Sequence, residues 1–213
     1  MRLVFLGPPG VGKGTHAKVL CAKHGLAHIS TGEILREAVA SGTPLGGKVR
    51  SYMERGLLVP DELVLQALRR RIAEPDAGAG FVLDGYPRNL KQAKDLERER
   101  VRVDRVVYFS APEEALLKRI GGRRTCEACN RVYNVYFDPP AEPEVCACGG
   151  RLVVREDDRE EVVRARLKEY AEKTAPLIEH YRARGLLVEV DAEGDIKTVY
   201  DRLENAIGKT GRE

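Results

Sequence analysis

The chain carries a glycine-rich stretch, GPPGVGKGT, at residues 7–15. The stretch follows an apolar run at residues 2–6 and precedes a helical pattern that extends to about Lys23. Glycines let the backbone approach phosphate oxygens, and the helix N-terminus adds positive potential where an anion would lie. Lys13 would supply an ammonium group to the β- and γ-phosphates. This strand–loop–helix context predicts a nucleoside triphosphate site rather than a turn that binds nothing.

The residue after the lysine departs from the general pattern of such loops. That place usually holds a Ser or Thr that binds Mg²⁺, whereas here it is Gly14, and the hydroxyl comes one residue later, at Thr15. We therefore expect water molecules between the protein and Mg²⁺. A second acidic element supports the loop, because the apolar run at residues 81–83 ends in Asp84. This is the usual layout of the carboxylate that directs Mg²⁺.

Short β-rich runs alternate with longer amphipathic patterns along the chain. We predict strands at residues 2–6, 27–30, 81–83, 105–109 and 186–190, one long helix from about residue 163 to 181, and a helix from about 196 to 207. Such alternation predicts an α/β fold with a doubly wound parallel sheet. Two stretches, around 31–60 and at 122–158, depart from this rhythm and are predicted to be insertions. The last residues, 208–213, are expected to be frayed.

The composition is that of an ordinary globular protein. The 213 residues are 43% hydrophobic and 32% charged, with a formal net charge of +3, which suggests one large domain or one domain with insertions. The chain has no Trp and only 6% aromatic residues, so a stacking platform for single-stranded nucleic acid is poorly supported. Because the N-terminal apolar run is too short for a secretory leader and no run reaches roughly 20 apolar residues, we expect neither export nor a membrane span, and a cytoplasmic location.

Four of the five cysteines crowd into one short stretch, at Cys126, Cys129, Cys146 and Cys148. Thiolates from two turns suit tetrahedral Zn²⁺ in a closed structural site, and a small segment would gain folding energy from the metal. The second pair has one intervening residue instead of two, so one of Cys146 and Cys148 could be replaced as a ligand. A redox pair and four reduced thiols without metal are the alternatives. Cys21 stands apart and is expected to be a core residue.

Four motifs taken together resemble those of the adenylate kinases: residues 7–15, STGE at 30–33, DGYPR at 84–88 and REDD at 155–158. The DGYPR motif is specific to nucleoside monophosphate kinases, and the spacing resembles the long-lid bacterial form over nearly the whole chain. The resemblance implies a P-loop NTPase-like parallel sheet with helices on both faces. It implies a core at residues 1–29, 61–121 and 159–213, a helical AMP-binding insertion at 30–60, and a small β-rich lid at 122–158 that often carries zinc.

The resemblance also implies an activity and a set of site residues. The activity is reversible transfer of the ATP γ-phosphoryl group to AMP, which gives two ADP, with Mg²⁺ as cofactor and with a monomeric enzyme. ATP-binding residues implied by matched position are Gly10, Val11, Gly12, Lys13, Gly14, Thr15, Arg119, Arg123, Val132, Tyr133 and Gly194. AMP-binding residues are Thr31, Arg36, Leu57, Leu58, Val59, Gly85, Tyr86, Pro87, Arg88, Gln92, Arg155 and Arg166. Catalytic residues are Lys13, Asp84, Arg88, Arg123, Arg155 and Arg166, and Asp157 and Asp158 match the acidic pair of the lid.

The arginines have a physical rationale apart from the resemblance. Phosphoryl transfer needs in-line positioning and charge neutralisation, and the planar guanidinium engages phosphate oxygens bidentately. Closure of a lid that carries such arginines would also exclude water. For Arg166, a structural salt bridge with Glu161 or Glu169 is the alternative. No general base is evident, and the four histidines, His16, His24, His28 and His180, are expected to be surface or packing residues.

Three other functions remain open. The first is a kinase for GMP, CMP or UMP, because Thr31 and Gln92 favour AMP by resemblance alone. The second is a zinc-ribbon module that binds nucleic acid, although Glu142, Glu144 and the acidic residues at 156–158 interrupt its basic patch. The third is a P-loop ATPase that acts as a mechanical switch, which the second arginine-lined site argues against.

Overall fold

The computed structural model describes residues 1–208. Its strands are β1 (Arg2–Leu6), β2 (Ala27–Ser30), β3 (Phe81–Asp84), β4 (Arg105–Ser110), β5 (Arg123–Cys126), β6 (Val132–Asn134), β7 (Leu152–Val153) and β8 (Leu187–Asp191). Its α-helices are α1 (Lys13–His24), α2 (Thr31–Ala40), α3 (Pro44–Glu54), α4 (Asp61–Ile72), α5 (Leu90–Arg98), α6 (Glu113–Gly121), α7 (Glu160–Glu169), α8 (Pro176–Arg182) and α9 (Ile196–Gly208). The predicted fraying of 208–213 lies outside the described residues except for Gly208.

A parallel sheet of five strands forms the centre of the molecule. Its order is β2-β3-β1-β4-β8, and every neighbouring pair is parallel. Consecutive side chains point to opposite faces of a sheet, so Leu3 and Phe5 join one buried cluster while Val4 and Leu6 join the other. Helices cover both faces, which confirms the predicted α/β class and explains why the central strands are apolar throughout.

The carboxyl ends of the parallel strands meet at one edge of the sheet. Leu6 lies next to the glycine-rich loop, and Ser30 pairs in register with Asp84 on the neighbouring strand. Ligands of open α/β sheets bind outside this edge. The fold therefore brings the glycine-rich loop, the start of α2 and the turn after β3 to one place.

The predicted long helix is interrupted. Residues 160–182 form α7, a π-helical turn at Tyr170–Thr174, and α8. The Ala175 N–H donates to the carbonyl of Tyr170 at 2.9 Å, five residues back. Pro176 follows at once and has no N–H to continue the ladder, so a wider turn precedes it. The prediction of one uninterrupted helix was wrong at this point.

Two smaller units project from the regions predicted to be insertions. Helices α2 and α3 form a hairpin joined by Ser41, Gly42 and Thr43, and the Thr43 hydroxyl accepts from the Gly46 N–H at 3.1 Å. Strands β6, β5 and β7 form a separate antiparallel sheet in that order. Its central strand, β5, was not predicted, because its sequence RRTC lacks the apolar pattern of a strand. Within residues 1–208, no helix is long and apolar enough to cross a bilayer.

Candidate active site

The glycine-rich loop wraps around the side chain of Lys13. The Lys13 Nζ donates to the carbonyls of Gly7 at 2.7 Å and Pro8 at 2.9 Å. Gly10 has φ of 84°, and a Cβ there would lie 2.8 Å from the Leu116 carbonyl, so only glycine fits this backbone and this approach. Burial lowers the pKa of Lys13 to about 8, and nearby arginines add to the effect. The ammonium group therefore lies in a site that favours an incoming anion.

Asp84 explains the glycine that follows the lysine. A Cβ at Gly14 would lie 3.2 Å from Asp84 Oδ2, so a larger residue there would crowd the carboxylate. Burial acts to raise the pKa of Asp84, but His28 and the charge of Lys13 outweigh it, and the pKa falls to about 2. Asp84 is therefore ionised at neutral pH, beside the loop, where a carboxylate can direct Mg²⁺.

Two arginines, Arg88 and Arg155, face the same space, and within residues 1–208 neither forms an ion pair with a carboxylate. The Arg155 Nε donates to the Thr125 hydroxyl at 2.8 Å. Burial lowers the pKa of Arg155 to about 9, and the charges of Arg123 and Arg36 lower it further. Burial likewise lowers the pKa of Arg88, with a further contribution from the charge of Arg166. Such crowding of buried cations is costly unless a polyanion binds.

The acidic pair after β7 orients two of these arginines. Arg123 binds the carboxylate of Asp158 through two N–H groups, Nε at 2.7 Å and one terminal nitrogen. Arg166 donates to the Asp157 carbonyl at 2.7 Å and to Asp158 Oδ1 at 3.2 Å. The two glutamates that were considered as partners of Arg166 pair elsewhere, Glu161 with Arg159 and Glu169 with Lys173. The alternative of a structural salt bridge for Arg166 therefore involves other carboxylates.

Two cavities meet at the arginines. The larger, of about 890 Å³, is lined by every residue predicted to bind ATP and by Asp84, Arg88, Arg155 and Arg166. The smaller, of about 80 Å³, is lined by Thr31, Leu57, Leu58, Val59 and Gln92, together with five residues shared with the larger one, Gly32, Arg36, Gly85, Arg88 and Arg166. Tyr86 and Pro87 line neither cavity, and Tyr86 is buried in the core beneath the site. The arginines thus lie where the ends of two bound molecules would meet.

One histidine occupies a place that the sequence analysis did not anticipate. His28 Nε2 lies 3.6 Å from Asp84 Oδ2, and its Nδ1 lies 3.9 Å from Glu33. His28 therefore contacts the carboxylate of the site in addition to packing in β2. A polar histidine within the apolar strand sequence AHIS was the feature of the sequence that could have indicated this contact. The other three are packing or surface residues, although His16, stacked on Phe109, also lines the larger cavity.

The four clustered cysteines lie together at one end of the small sheet. Their sulfur atoms all lie within 4.8 Å of one another, with separations of 3.4 Å for Cys129 and Cys148 and 3.6 Å for Cys126 and Cys148. A zinc ion with four thiolates at about 2.3 Å has sulfur–sulfur edges of about 3.8 Å. A Cβ at Gly150 would lie 2.7 Å from Cys126 Sγ, so glycine keeps the space open. The donor set fits a tetrahedral metal ion, and the one-residue gap brings Cys148 into the same cluster.

Comparison with known proteins agrees with this site. The sequence model of the family described as adenylate kinase matches residues 5–186. An adenylate kinase of Archaeoglobus fulgidus is 47% identical over 214 residues, covering 98% of this chain and 99% of that protein. Adenylate kinases of Thermodesulfovibrio yellowstonii and Syntrophotalea carbinolica are each 46% identical, covering 95% and 98% of this chain and 97% and 99% of those proteins. The chain therefore belongs to the adenylate kinase family.

Proposed function

We propose that the protein catalyses ATP + AMP ⇌ 2 ADP, with Mg²⁺ bound to ATP. The observation that carries this proposal is the cluster of half-buried cations, Lys13, Arg88, Arg123, Arg155 and Arg166, at the junction of two cavities of unequal size. Two phosphate chains that meet there would supply the missing negative charge. The names of the relatives support ATP and AMP as the nucleotides.

The larger cavity is the proposed ATP site. Loop residues 10–15 would hold the phosphates, with Lys13 on the β- and γ-phosphates, and Arg119, Val132, Tyr133 and Gly194 would surround the base and ribose. Asp84 would direct Mg²⁺ through water, since Gly14 offers no hydroxyl. This arrangement is supported by the short distance from Asp84 to the start of α1.

The smaller cavity is the proposed AMP site. Arg36 and Arg88 would bind its phosphate, with Leu57, Leu58 and Val59 around the base, and Gly85, Tyr86 and Pro87 would form the turn that supports Arg88. Arg123, Arg155 and Arg166 would then bind the transferring phosphoryl group, which carries charge on its equatorial oxygens. No general base is needed, because catalysis rests on positioning and electrostatic stabilisation.

Two of the proposed units would move during turnover. We assign residues 122–158 to a lid, 30–60 to an AMP-binding insertion, and the remainder to the core. Lid closure would exclude water and so prevent hydrolysis of ATP without acceptor. The contact of Arg166, on helix α7 of the core, with Asp158 at the end of the lid supports a link between lid position and the charged site. By analogy with the family, we also propose a monomer that acts in the cytoplasm on free nucleotides.

A coupled assay tests the proposed reaction. ADP formation from ATP and each of AMP, GMP, CMP and UMP would be measured for the wild type, Lys13→Ala and Arg88→Ala, with Lys197→Ala as a control because Lys197 is exposed on α9. We expect AMP to be the preferred acceptor and both site variants to lose at least roughly 100-fold in kcat/KM. Full activity of both variants, or preference for another base, would refute the assignment.

We also propose that Cys126, Cys129, Cys146 and Cys148 hold a structural Zn²⁺. The buried core of the small sheet consists of Cys126, Cys146 and Leu152 with Tyr133 packed against it, so little apolar burial stabilises it without metal. Protein purified without chelator should contain roughly one zinc per chain, and Cys126→Ser should lose it. The control, Cys21→Ser, alters a buried cysteine of the main core. Metal-free protein whose residues 122–158 resist proteolysis equally well would contradict the proposal.

A further inference from the structure

A buried amide lies at the wall of the smaller cavity with both of its ends held. Gln92 is 1% exposed. Its Oε1 accepts from the Arg88 backbone N–H at 2.7 Å, and its Nε2 donates to Asp61 Oδ1 at 2.7 Å. The Asn89 side chain accepts from the Gln92 backbone N–H at 2.8 Å and donates to the same Asp61 oxygen at 2.9 Å. Asp61 therefore holds both the start of α5 and the side chain within it.

These partners permit a single orientation of the Gln92 amide. A backbone N–H can only donate, so the amide oxygen must face Arg88. Burial acts to raise the pKa of Asp61, but hydrogen bonds from Asn89, Gln92 and Lys91 outweigh it and lower the pKa. The Asp61 carboxylate is therefore ionised at neutral pH and can only accept, so the amide nitrogen must face it. Exchange of the two ends would break both hydrogen bonds.

The fixed amide retains one donor and one acceptor. Within residues 1–208, its second N–H and the second lone pair of its oxygen have no hydrogen-bond partner, and Gln92 lines the smaller cavity. Thr31 is the other neutral hydrogen-bonding side chain among the lining residues described for that cavity, and its hydroxyl donates to the Gly85 carbonyl at 2.8 Å. The amide is thus the group in this wall that can offer a donor and an acceptor side by side.

The cavity has both charged and apolar lining residues. Its charged lining is Arg36, Arg88, Arg166 and the single carboxylate of Asp157, and this excess of positive charge suits a phosphate. The apolar lining comes from Leu35, Met53, Leu57, Leu58, Val59 and Val64. A base would lie among these apolar side chains, within reach of the one oriented amide.

The chemistry of purine edges then decides which base fits. Adenine presents an amino donor at N6 next to an acceptor at N1, and a carboxamide pairs with this donor–acceptor order in a bidentate manner, as it does with N6 and N7 in nucleic-acid recognition. A 6-oxopurine presents the reverse, a carbonyl acceptor next to an N–H donor. With the amide free to turn, both edges would pair equally well. With the amide held, the oxopurine would place acceptor against acceptor and donor against donor.

We propose that Asp61 is a positioning residue that, by holding the Gln92 amide in one orientation, makes the monophosphate site select a 6-aminopurine over a 6-oxopurine. This inference rests on the proposed function, because it concerns the acceptor in the proposed AMP site. Asp61 makes no contact with substrate in this account and acts only through Gln92.

The test compares AMP with inosine monophosphate, which differs from AMP only in the group at purine position 6 and the proton on the neighbouring nitrogen. The kcat/KM ratio for the two acceptors would be measured in the wild type, Asp61→Leu and Asp61→Asn. Asp61→Leu removes the acceptor, whereas Asp61→Asn keeps a carbonyl oxygen that can take the place of Oδ1. Glu62→Gln is the matched control, because Glu62 is the adjacent carboxylate and its side chain is 84% exposed.

We expect Asp61→Leu to lower the AMP-to-IMP ratio by roughly 10-fold or more, since a buried donor loses its charged partner. The loss should appear as a higher KM for AMP, with the KM for ATP changed less than about 2-fold. Asp61→Asn should restore most of the ratio, and Glu62→Gln should match the wild type. In a Gln92→Leu background, Asp61→Leu should change the ratio little, because the two residues act as one unit.

Several results would overturn the inference. These are a wild type that uses IMP as well as AMP, an unchanged ratio in Asp61→Leu, and an equal effect of Asp61→Leu in the Gln92→Leu background. If Asp61→Leu does not fold, Asp61→Ala takes its place. An AMP-to-IMP ratio in Asp61→Ala equal to that of the wild type would then overturn the inference. A wild type that forms no ADP from either acceptor would instead refute the proposed function, so the two failures are distinguishable.

Discussion

At the scale of single residues, the site is defined by positive charge that the nearby carboxylates only partly compensate. The half-buried ammonium of Lys13 is held by two backbone carbonyls, and Arg88 and Arg155 also have lowered pKa values because of burial and neighbouring cations. A stable protein keeps such an arrangement when a ligand supplies the opposite charge. The phosphates of the two nucleotides are therefore part of the electrostatic balance of the folded enzyme.

Lys13 makes the affinity for ATP depend on pH. With its pKa lowered to about 8, Lys13 is charged in the free enzyme below pH 8 and neutral above it, whereas an ordinary lysine would stay charged to about pH 10. We expect kcat/KM for ATP to fall as the pH rises through about 8, because this ratio reports the free enzyme. Lys13→Arg should be less active at neutral pH but lack this decline, since guanidinium stays protonated. A wild-type profile that is flat to pH 10 would contradict the prediction.

At the scale of secondary-structure elements, the α2–α3 hairpin depends on close backbone contact. Gly46 lies in the first turn of α3, and a Cβ there would lie 2.0 Å from the Ala38 carbonyl oxygen. The adjacent Gly47 is exposed, and among the described residues no heavy atom lies within 4 Å of its added Cβ. An added side chain would therefore clash with α2 at Gly46 but would be tolerated at Gly47.

This difference predicts opposite effects on stability. Gly46→Ala must push α3 away from α2 and should lower the free energy of unfolding by at least about 1–3 kcal/mol. Gly47→Ala should raise it by up to about 1 kcal/mol, because alanine favours the helix. Urea unfolding of both variants measures the difference, with Gly47→Ala as the matched control. Effects of the same sign and size would show that α2 and α3 do not pack as described.

At the scale of the whole molecule, two cavities of about 890 Å³ and 80 Å³ share five lining residues, Gly32, Arg36, Gly85, Arg88 and Arg166. Arg36 on α2 lies 3.8 Å from Asp157, next to the acidic residue that binds Arg123. Arg36 of the helical hairpin and Arg123 of the small sheet thus both contact the acidic pair Asp157 and Asp158. A phosphate bound in either cavity would therefore change the electrostatic environment of the other cavity.

A bisubstrate ligand should therefore stabilise the protein more than either nucleotide. Two adenosines joined by a chain of phosphates would reach from one proposed nucleotide site to the other, and at 100 times its Kd the ligand should add about 2.7 kcal/mol to the free energy of unfolding. We expect the bisubstrate ligand to raise Tm more than ATP or AMP does at the same free ligand concentration. In Arg88→Ala, the bisubstrate should stabilise little more than ATP does. Equal rises for ATP and the bisubstrate in the wild type would contradict the shared site.

Much of the fold and site could be predicted because the signals are local. The glycine-rich loop needs a strand before it and a helix after it, and the sequence patterns of both lie directly beside the loop. The strand that ends in Asp84 is likewise recognised from its own apolar residues. Strands β1 and β2 have the predicted bounds, and β3, β4 and β8 differ by one residue at one or both ends. Strand β5 was not predicted, because its pairing with β6 and β7 defines it rather than an apolar pattern of its own. The π turn was not predicted, because it depends on the missing N–H of Pro176.

The sequence by itself therefore determined the class of fold, the phosphate loop and the family, since each rests on residue types at short fixed spacing. Only the tertiary structure decided that His28 approaches Asp84, that Arg166 pairs with Asp157 and Asp158, and that Asp61 orients Gln92. The members of these sets lie on different elements, and in the last of them Asp61 and Gln92 are 31 positions apart. Their distances depend on how the strands and helices pack, which no local pattern of residues specifies.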